Sequence, residues 1–382
     1  MQTVRRKAPL RQRAFHGSAG VLLALTLVLT ACGGGAARSK APALPPANPH
    51  AVDKLAQGVA IAKDPGSGSR AIALLRAAVN ADGKLWEARY NLGLLLAESG
   101  DLAEAEKQLS EARVLAPNAE DVVVALAEVQ RRRGDPDSAA SELLEFVKSQ
   151  PRAVAARIAL VAALRDSGDI DSAIKHAREV LVRRSRDPNA LAELALSHLA
   201  RGEVDTAELL VGEALKADAK SAVAERTAGL IALKRGDDAV AFQHFAKASE
   251  LDPKDTTARS NMATVLLLAG VYDRAAQEFR GVLEAKPKDV DAMIGLAAAR
   301  RGQGKRNDQG PYEEAERLLQ EVLQMEPKNL AATLNLGLLY ADFLQKPAQA
   351  KPLLQRFLDE APKNHPSRAV AQKKLTGSAA KK

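Results

Sequence analysis

A glycine recurs at one fixed interval over more than half of this chain, and this spacing limits what the chain can fold into. The series consists of Gly100, Gly134, Gly168, Gly202, Gly236, Gly270 and Gly304, each thirty-four positions after the last. Acidic residues directly follow five of these glycines: Asp101, Asp135, Asp169, Glu203 and Asp237. Alanines lie five positions after the first six: Ala105, Ala139, Ala173, Ala207, Ala241 and Ala275. A fixed period of this length indicates a stack of helix–turn–helix repeats, in which each repeat contacts only its neighbours.

The recurring residues also predict how each repeat is built. Glycine adopts the positive φ that ends a helix, and the acid after it can cap the exposed amides of the next helix. Because only 3% of the residues are aromatic, the interior must consist mainly of Ala, Leu and Val. The glycines predict repeats that begin at residues 52, 86, 120, 154, 188, 222, 256, 290 and 330.

Two repeats depart from this pattern. The first, residues 52–85, has Asp64–Gly68 in place of the glycine turn, and we expect it to be a degenerate, capping repeat. The eighth carries six extra residues between Gly304 and Ala315, around positions 305–311. This insertion is either a tolerated surface loop or a loop that contacts a partner.

The second repeat resembles the tetratricopeptide repeat, a family of paired antiparallel helices. Its signature positions are occupied by Trp86, Leu92, Gly93, Ala105, Leu109, Ala112 and Pro117. The resemblance extends over about four-fifths of the chain. It implies an all-α fold, an α-solenoid of about nine helix–turn–helix units that form a superhelix.

Packing positions follow from the same register. Small residues such as Gly93, Gly229 and Gly337 are predicted where two helices cross closely. Larger side chains are predicted to fill the space between one repeat and the next: Leu109, Leu143, Val211, Phe245 and Phe279. Prolines are predicted to follow the ends of second helices, at positions 117, 151, 253, 287, 327 and 362.

The family resemblance implies that the first helix of each repeat lines a concave groove that binds a partner. The positions that it assigns to partner binding are Tyr90, Asn91, Leu94, Arg226, Leu230, Asn261, Asn335 and Leu338. The rest of the groove would consist of Val124, Glu128, Ile158, Ala162, Thr264 and Leu334. The asparagines either bond the backbone of an extended peptide or bridge neighbouring helices, and Tyr90 either anchors a partner or packs inside the array.

The positive charge of the chain is concentrated at its two ends. The net charge is +8, but residues 1–50 contain seven basic groups and residues 364–382 contain five, with no acid in either range. Removing these twelve charges leaves about −4 for residues 51–363. A mildly acidic body without a basic stripe argues against nucleic acid as a partner.

Residues 1–31 have the pattern of an export signal, with a basic segment followed by an apolar run from Ala19 to Thr30. The junction Leu29–Cys32 resembles the lipobox of bacterial lipoproteins. That resemblance implies cleavage before Cys32, acylation of this cysteine and a lipid anchor; a plain secretory signal is the alternative. Because Cys32 is the sole cysteine, neither a disulfide framework nor a thiolate metal site is available.

These features divide the chain into a signal peptide (1–31), a lipidated cysteine with a flexible tether (32–50), the repeat solenoid (51–363) and a possible capping helix with a basic tail (364–382). The residue after the cysteine is Gly33, and in this the chain resembles lipoproteins sorted to the outer membrane. We therefore expect an outer-membrane anchor with the repeats facing the periplasm. The inner membrane stays the alternative location.

No group of residues points to an enzyme. Six histidines occur, and no two have the i, i+4 spacing of a helical metal site. His198 falls where the repeat family places a packed aromatic side chain. We therefore predict no catalytic residues, metal, cofactor or small-molecule substrate.

The sequence favours a scaffold that holds other envelope proteins together, similar to repeat lipoproteins of gliding motility and type IV pili. Two alternatives stay open. One is a pilotin or assembly chaperone for a secretin or another outer-membrane protein. The other is an adaptor for polysaccharide export or for cell-wall enzymes.

The anchor is testable by a single substitution. Cys32→Ser removes the thiol that would form the thioether to a diacylglyceryl group, so the protein should move from the membrane fraction to the soluble fraction of lysed cells. Tight membrane association of the variant would contradict the lipid anchor.

Overall fold

The computed structural model describes residues 47–64, 66–305 and 308–379. The signal segment, Cys32 and most of the tether lie outside the described residues, as do Lys381 and Lys382. The described part of the chain is all-helical, with nineteen helices and one isolated bridge between Lys305 and Asp308. The predicted fold class and the number of about nine helix pairs are therefore confirmed.

The helices alternate between a first and a second helix of each repeat. In chain order they are α1 (Pro49–Ile61), α2 (Gly68–Ala81), α3 (Trp86–Glu98), α4 (Leu102–Leu115), α5 (Glu120–Arg132), α6 (Pro136–Ser149), α7 (Val154–Asp166), α8 (Ile170–Arg183), α9 (Pro188–Ala200), α10 (Val204–Ala217), α11 (Ala222–Arg235), α12 (Asp238–Leu251), α13 (Thr256–Leu268), α14 (Tyr272–Ala285), α15 (Val290–Gln303), α16 (Gly310–Met325), α17 (Leu330–Asp342), α18 (Pro347–Glu360) and α19 (Arg368–Ala379). Helix α1 begins inside the segment expected to be a tether. None of these helices has the length and hydrophobicity needed to span a lipid bilayer.

The described residues form two compact units. The N-terminal unit contains residues 47–97 and 102–224, and the C-terminal unit contains residues 98–101 and 225–379. In the N-terminal unit, each helix from α4 to α9 packs against the next helix, and the first helices α5, α7 and α9 also contact one another in turn. In the C-terminal unit the first helices α13, α15 and α17 do the same, and α19 packs against α17 and α18.

The turn glycines confirm most of the predicted register and correct its two ends. Positive φ values occur at Gly66, Gly100, Gly134, Gly168, Gly202, Gly236 and Gly270. Gly66 has a φ of 78° and lies exactly one repeat period before Gly100, so the expectation that the first repeat lacks a glycine turn was wrong. The segment Asp64–Gly68 contains two glycines, and the sequence alone did not show that Gly66 forms the turn while Gly68 begins α2.

Gly304 does not adopt the expected positive φ. Its φ and ψ are −61° and 141°, an extended conformation open to any residue. The six-residue insertion follows directly, and the backbone N–H of Asp308 donates to the carbonyl of Lys305 at 3.0 Å. The chain therefore turns after Gly304 and not at this glycine. Glycine is required here for space, because a Cβ at this position would collide with the buried ring of Tyr312.

The acids after the glycines cap only some of the second helices. Asp135 accepts a hydrogen bond from the backbone N–H of Ser138, and Asp169 accepts one from Ser172, each at 3.1 Å. Glu203 and Asp237 make no such bond, which corrects the prediction for these two. The Glu203 side chain, one methylene longer, reaches back to His198 instead.

Second helices end at a constant distance from the predicted prolines. Helix α4, for example, ends at Leu115, two residues before Pro117. Helix α8 ends at the equivalent residue, Arg183, although Ser185 stands in the proline position. Proline therefore reinforces an end that the helix packing already defines.

The predicted close crossing of the two helices is present in the sixth repeat. Gly229 on α11 faces Phe245 on α12, and a Cβ added to Gly229 would lie 2.5 Å from Cε1 of that fully buried ring. Leu109 lies against Gly93 in the same way, within its own repeat. Phe279, in contrast, contacts Gly295 of the following repeat. Phe245 and Leu109 also share buried clusters with residues of the following repeat, such as Met262 and Leu126, so they fill both the crossing inside their own repeat and the space beside the next one.

Adding one methyl group at this crossing tests the packing. Gly229→Ala should lower the free energy of unfolding by about 1–3 kcal/mol, because the enclosed Phe245 ring cannot yield without strain. The matched control is Gly212→Ala in the middle of α10, where no atom lies within 4 Å of the added Cβ. That change should stabilise the protein by about 0.5–1 kcal/mol, since glycine is unfavourable inside a helix. Urea denaturation followed by circular dichroism measures both, and equal effects of the two variants would contradict the crossing geometry.

Candidate partner-binding surface

The residues predicted to bind partners lie on the odd-numbered helices, and the surface they form is here called the first-helix face. Several are buried in the repeats: Asn91, Leu94, Ile158, Ala162 and Leu334. Others are half-buried: Tyr90, Val124, Arg226, Leu230, Asn261, Asn335 and Leu338. Glu128 and Thr264 are exposed. The half-buried set offers the accessible apolar and polar groups of this face.

Tyr90 on α3 combines packing with partial exposure. Its ring centroid lies 6.4 Å from that of Trp86, one helical turn earlier, and the two rings are tilted by 52°. Burial, assisted by the carboxylate of Asp121, raises the pKa of Tyr90 well above its usual range. The hydroxyl therefore stays neutral, and the side chain acts as a rigid aromatic group with a polar tip.

The three asparagines occupy equivalent positions but have different surroundings. Asn91 donates from Nδ2 to the carbonyl of Glu87 at 2.7 Å, and its buried Oδ1 has no partner among the described residues. Asn335 donates to Ala331 at 2.9 Å and accepts from Arg301 at 3.1 Å. Since Arg301 belongs to α15, Asn335 bridges two neighbouring first helices, which is one of the two roles considered from the sequence. Asn261 lies half-buried on α13.

Arg226 is held by a buried carboxylate. Its guanidinium lies 2.5 Å from Oδ2 of Asp255, a residue that is only 2% exposed. The other oxygen of Asp255 accepts from the backbone amides of Thr257 and Ala258 and so caps α13. Arg226 therefore connects α11 to the start of α13, and removing one member of such a buried pair is strongly destabilising.

A chain of ion pairs crosses the first-helix face of the N-terminal unit. Arg131 on α5 contacts Glu128 at 2.7 Å and Asp166 on α7 at 2.5 Å. Arg165 continues the chain to Asp166 at 3.4 Å and to Glu193 on α9. Burial opposes the charge of Arg131, but the carboxylates of Glu128 and Asp166 outweigh it and raise the pKa of Arg131. These side chains satisfy one another, so a partner gains little by binding them.

A second set of charged contacts, which the sequence analysis missed, joins the two helices of single repeats. Arg89 donates to Gln108 at 3.0 Å and pairs with Glu111; Arg157 lies 3.2 Å from Nδ1 of His176 and pairs with Glu179. Glu225 reverses the charges, pairing with His244 at 2.7 Å and with Lys247.

This second set has a sequence signal. In each case a polar residue near the start of the first helix faces the side chains nineteen and twenty-two positions later, and the three occurrences, at 89, 157 and 225, recur at every second repeat. The signal is visible only once the helix pairs are known, because its partners lie across the turn. These contacts join the two helices of a repeat, so their polar groups are already paired within it.

The described residues contain no group of three or more His, Cys, Asp and Glu side chains able to hold a metal ion. His198 is buried, and its Nδ1 lies 2.5 Å from Oε2 of Glu203. A shallow depression on α8 is lined by charged side chains such as Lys175 and Arg178, with Asp171 paired to Arg201. These contacts have the geometry of structural ion pairs.

Comparison with known proteins agrees with this architecture. Two family models, both described as tetratricopeptide repeat, match the sequence. The first matches residues 66–120, 124–190, 159–222 and 192–256. The second matches residues 230–300 and 306–373. Among curated proteins, none matches the sequence.

Solved structures with a similar backbone include a chain of the APC/C hetero-tetramer Cut9–Hcn1, with a TM-score of 0.57 and 16% identity over 81% of the present chain. The present chain spans 58% of the length of that protein. Two bacterial proteins are also similar. The thermophilic protein TTC0263 of Thermus thermophilus has a TM-score of 0.43 and 21% identity, over 47% of this chain and 98% of its own. A tetratricopeptide repeat protein of Parabacteroides merdae has a TM-score of 0.44 and 17% identity, over 68% of this chain and 98% of its own.

The His198–Glu203 contact predicts a pH dependence. The hydrogen bond from His198 lowers the pKa of Glu203 below its ordinary value of 4.5. Ionised Glu203 therefore stabilises the folded state above pH 4.5, and this contribution disappears as the pH falls through the lowered pKa. Glu203→Gln should reduce the melting temperature at neutral pH and have a shrinking effect below pH 4.5.

Thermal melts across this pH range check the prediction. The matched control is Glu145→Gln, which removes one exposed carboxylate of the same unit and should change the melting temperature little at neutral pH. A constant effect of Glu203→Gln at every pH would show that the lost contribution is not that of the ionised carboxylate.

Proposed function

Because the chain belongs to the tetratricopeptide-repeat family, we propose that it is a lipid-anchored scaffold that holds proteins of a bacterial cell envelope together. The observation that supports the scaffold is the first-helix face, which recurs in both units and presents half-buried apolar side chains. The observation that supports the envelope is Leu29–Cys32 behind a basic and an apolar segment. The lipid anchor would then lie in the outer membrane, and the repeats would lie on its periplasmic side.

The accessible groups of the first-helix face define the kind of contact that a partner makes. Arg226 pairs with Asp255, and Asn335 accepts a hydrogen bond from Arg301, so both side chains hold helices of the array together. Tyr90, Leu230 and Leu338 are half-buried and offer apolar surface. We infer that partners bind mainly by burying apolar side chains against these positions, and that polar groups of the face set orientation.

The proposal assigns no chemical step to the protein. Repeat arrays of this kind typically act by binding, and the ion pairs described above join helices within a repeat or between neighbouring repeats. The process to examine first is gliding motility, because the sequence resembles repeat lipoproteins that serve it. Escort of a secretin and support of polysaccharide export or cell-wall enzymes are the competing roles.

Site-specific photocrosslinking in cells tests the proposal. A photoreactive amino acid replaces Tyr90 or Asn335 on the first-helix face. The control positions are Val114 and Val182, which lie on second helices and are 79% and 86% exposed. A scaffold should yield the same envelope proteins from both first-helix positions and little from the controls.

The products separate the competing roles. Recovery of secretin subunits, together with loss of secretin multimers in a deletion strain, would favour the pilotin. Equal products from first-helix and control positions would contradict the first-helix face as the binding surface. Products that contain only this chain itself would contradict the scaffold.

A further inference from the structure

The C-terminal end of the chain has a charge unlike that of the rest of its unit. Residues 225–342 contain sixteen basic and eighteen acidic residues, a net charge of −2. Residues 343–382 contain nine basic and two acidic residues, a net charge of +7. The basic residues are Lys346, Lys351, Arg356, Lys363, Arg368, Lys373, Lys374, Lys381 and Lys382. Most of them lie on α18, on α19 or in the loop between these helices.

Both arginines of this end are used inside the fold. Arg356 pairs with Glu360 at 2.9 Å and also donates to the carbonyl of Pro327. Arg368 donates to the carbonyls of Leu358 and Ala361 at 2.6 and 2.8 Å, and so satisfies the last turn of α18. Neither guanidinium is free for bidentate recognition of a partner's carboxylate.

The lysines divide into paired and unpaired groups. Lys346 binds Glu316 at 2.8 Å, and Lys374 binds Asp342 at 2.5 Å. Lys351 on α18, Lys363 in the loop and Lys373 on α19 are exposed, and within the described residues their side chains have neither an ion pair nor a hydrogen bond. Their ammonium groups therefore face solvent from three successive elements.

The chemistry of this surface favours a particular partner. Residues 343–376 expose one large apolar side chain, Val370, at 47%, and no exposed aromatic ring. A protein interface normally relies on aromatic or arginine anchors in a shaped pocket. Unpaired lysines on flexible stems are point charges without directional preference, which suits a fluid array of phosphates.

We propose that this end of the C-terminal unit, formed by α18, residues 361–367 and α19, binds the surface of an anionic lipid bilayer. The lysine side chains contact phosphate groups, and Val370 enters the headgroup region. This contact does not depend on acylation of Cys32 or on the first-helix face. It gives the protein a second, electrostatic means of holding a membrane.

Vesicle binding by the full chain tests the inference. The test variant carries Lys351→Gln, Lys363→Gln and Lys373→Gln. The control variant carries Lys220→Gln, Lys254→Gln and Lys328→Gln, three exposed lysines from turns between repeats. Both variants lose three positive charges, so position alone distinguishes them, and the N-terminal basic segment contributes equally to all three proteins. Sedimentation with vesicles of phosphatidylcholine, and of phosphatidylcholine mixed with phosphatidylglycerol, measures binding.

The proposal predicts salt-sensitive binding of the wild type and of the control to the mixed vesicles. If each lysine strengthens vesicle binding about fivefold, the test variant should bind the mixed vesicles up to about a hundredfold more weakly than the wild type. Equal weakening of both triple variants would overturn the proposal, as would equal binding of all proteins to both kinds of vesicle. Binding of polyglutamate that depends on the same three lysines, without vesicle binding, would assign the surface to an acidic protein and overturn it as well.

Discussion

The close crossing of two helices inside each repeat is the constraint on which the other features depend. A small residue on the first helix allows a side chain of the second helix to fill the crossing, as Phe245 does against Gly229. The pair so formed has an apolar inner surface and places its first helix beside that of the neighbouring repeat. Contacts such as those of α5 with α7, and of α15 with α17, follow from this placement. The first-helix face forms because this packing places the first helices of successive repeats side by side.

Sequence periodicity predicted the helix pairs well, because glycine turns and small crossing residues are required at fixed positions. It failed where a local sequence could satisfy the same need in two ways. Gly66 was overlooked beside Gly68, and Gly304 was expected to adopt a positive φ although, with the insertion, the chain turns just after it, at Lys305 and Asp308. The caps expected from Glu203 and Asp237 depend on side-chain reach, which spacing does not encode.

The binding surface was less predictable than the fold. A position on the first-helix face can bind a partner or hold two helices together, and the residue type is the same for both roles. Asn335 accepts from Arg301 and Arg226 pairs with Asp255, so their polar groups are engaged within the array. Tyr90 is half-buried, because it packs against the core of its unit and beside the ring of Trp86 on the same helix. Only the three-dimensional arrangement of charges separates these cases.

Hydrogen–deuterium exchange along the chain tests the repeated helix pair most directly. Slow exchange should cover both helices of every repeat. Fast exchange should recur twice per repeat, at the turns that contain the glycines from Gly66 to Gly270 and at the turns between repeats. Between Gly304 and Tyr312 the fast segment should be longer, because the insertion lies there. Protection that bears no relation to these glycines, or that is absent from the second helices, would contradict the account.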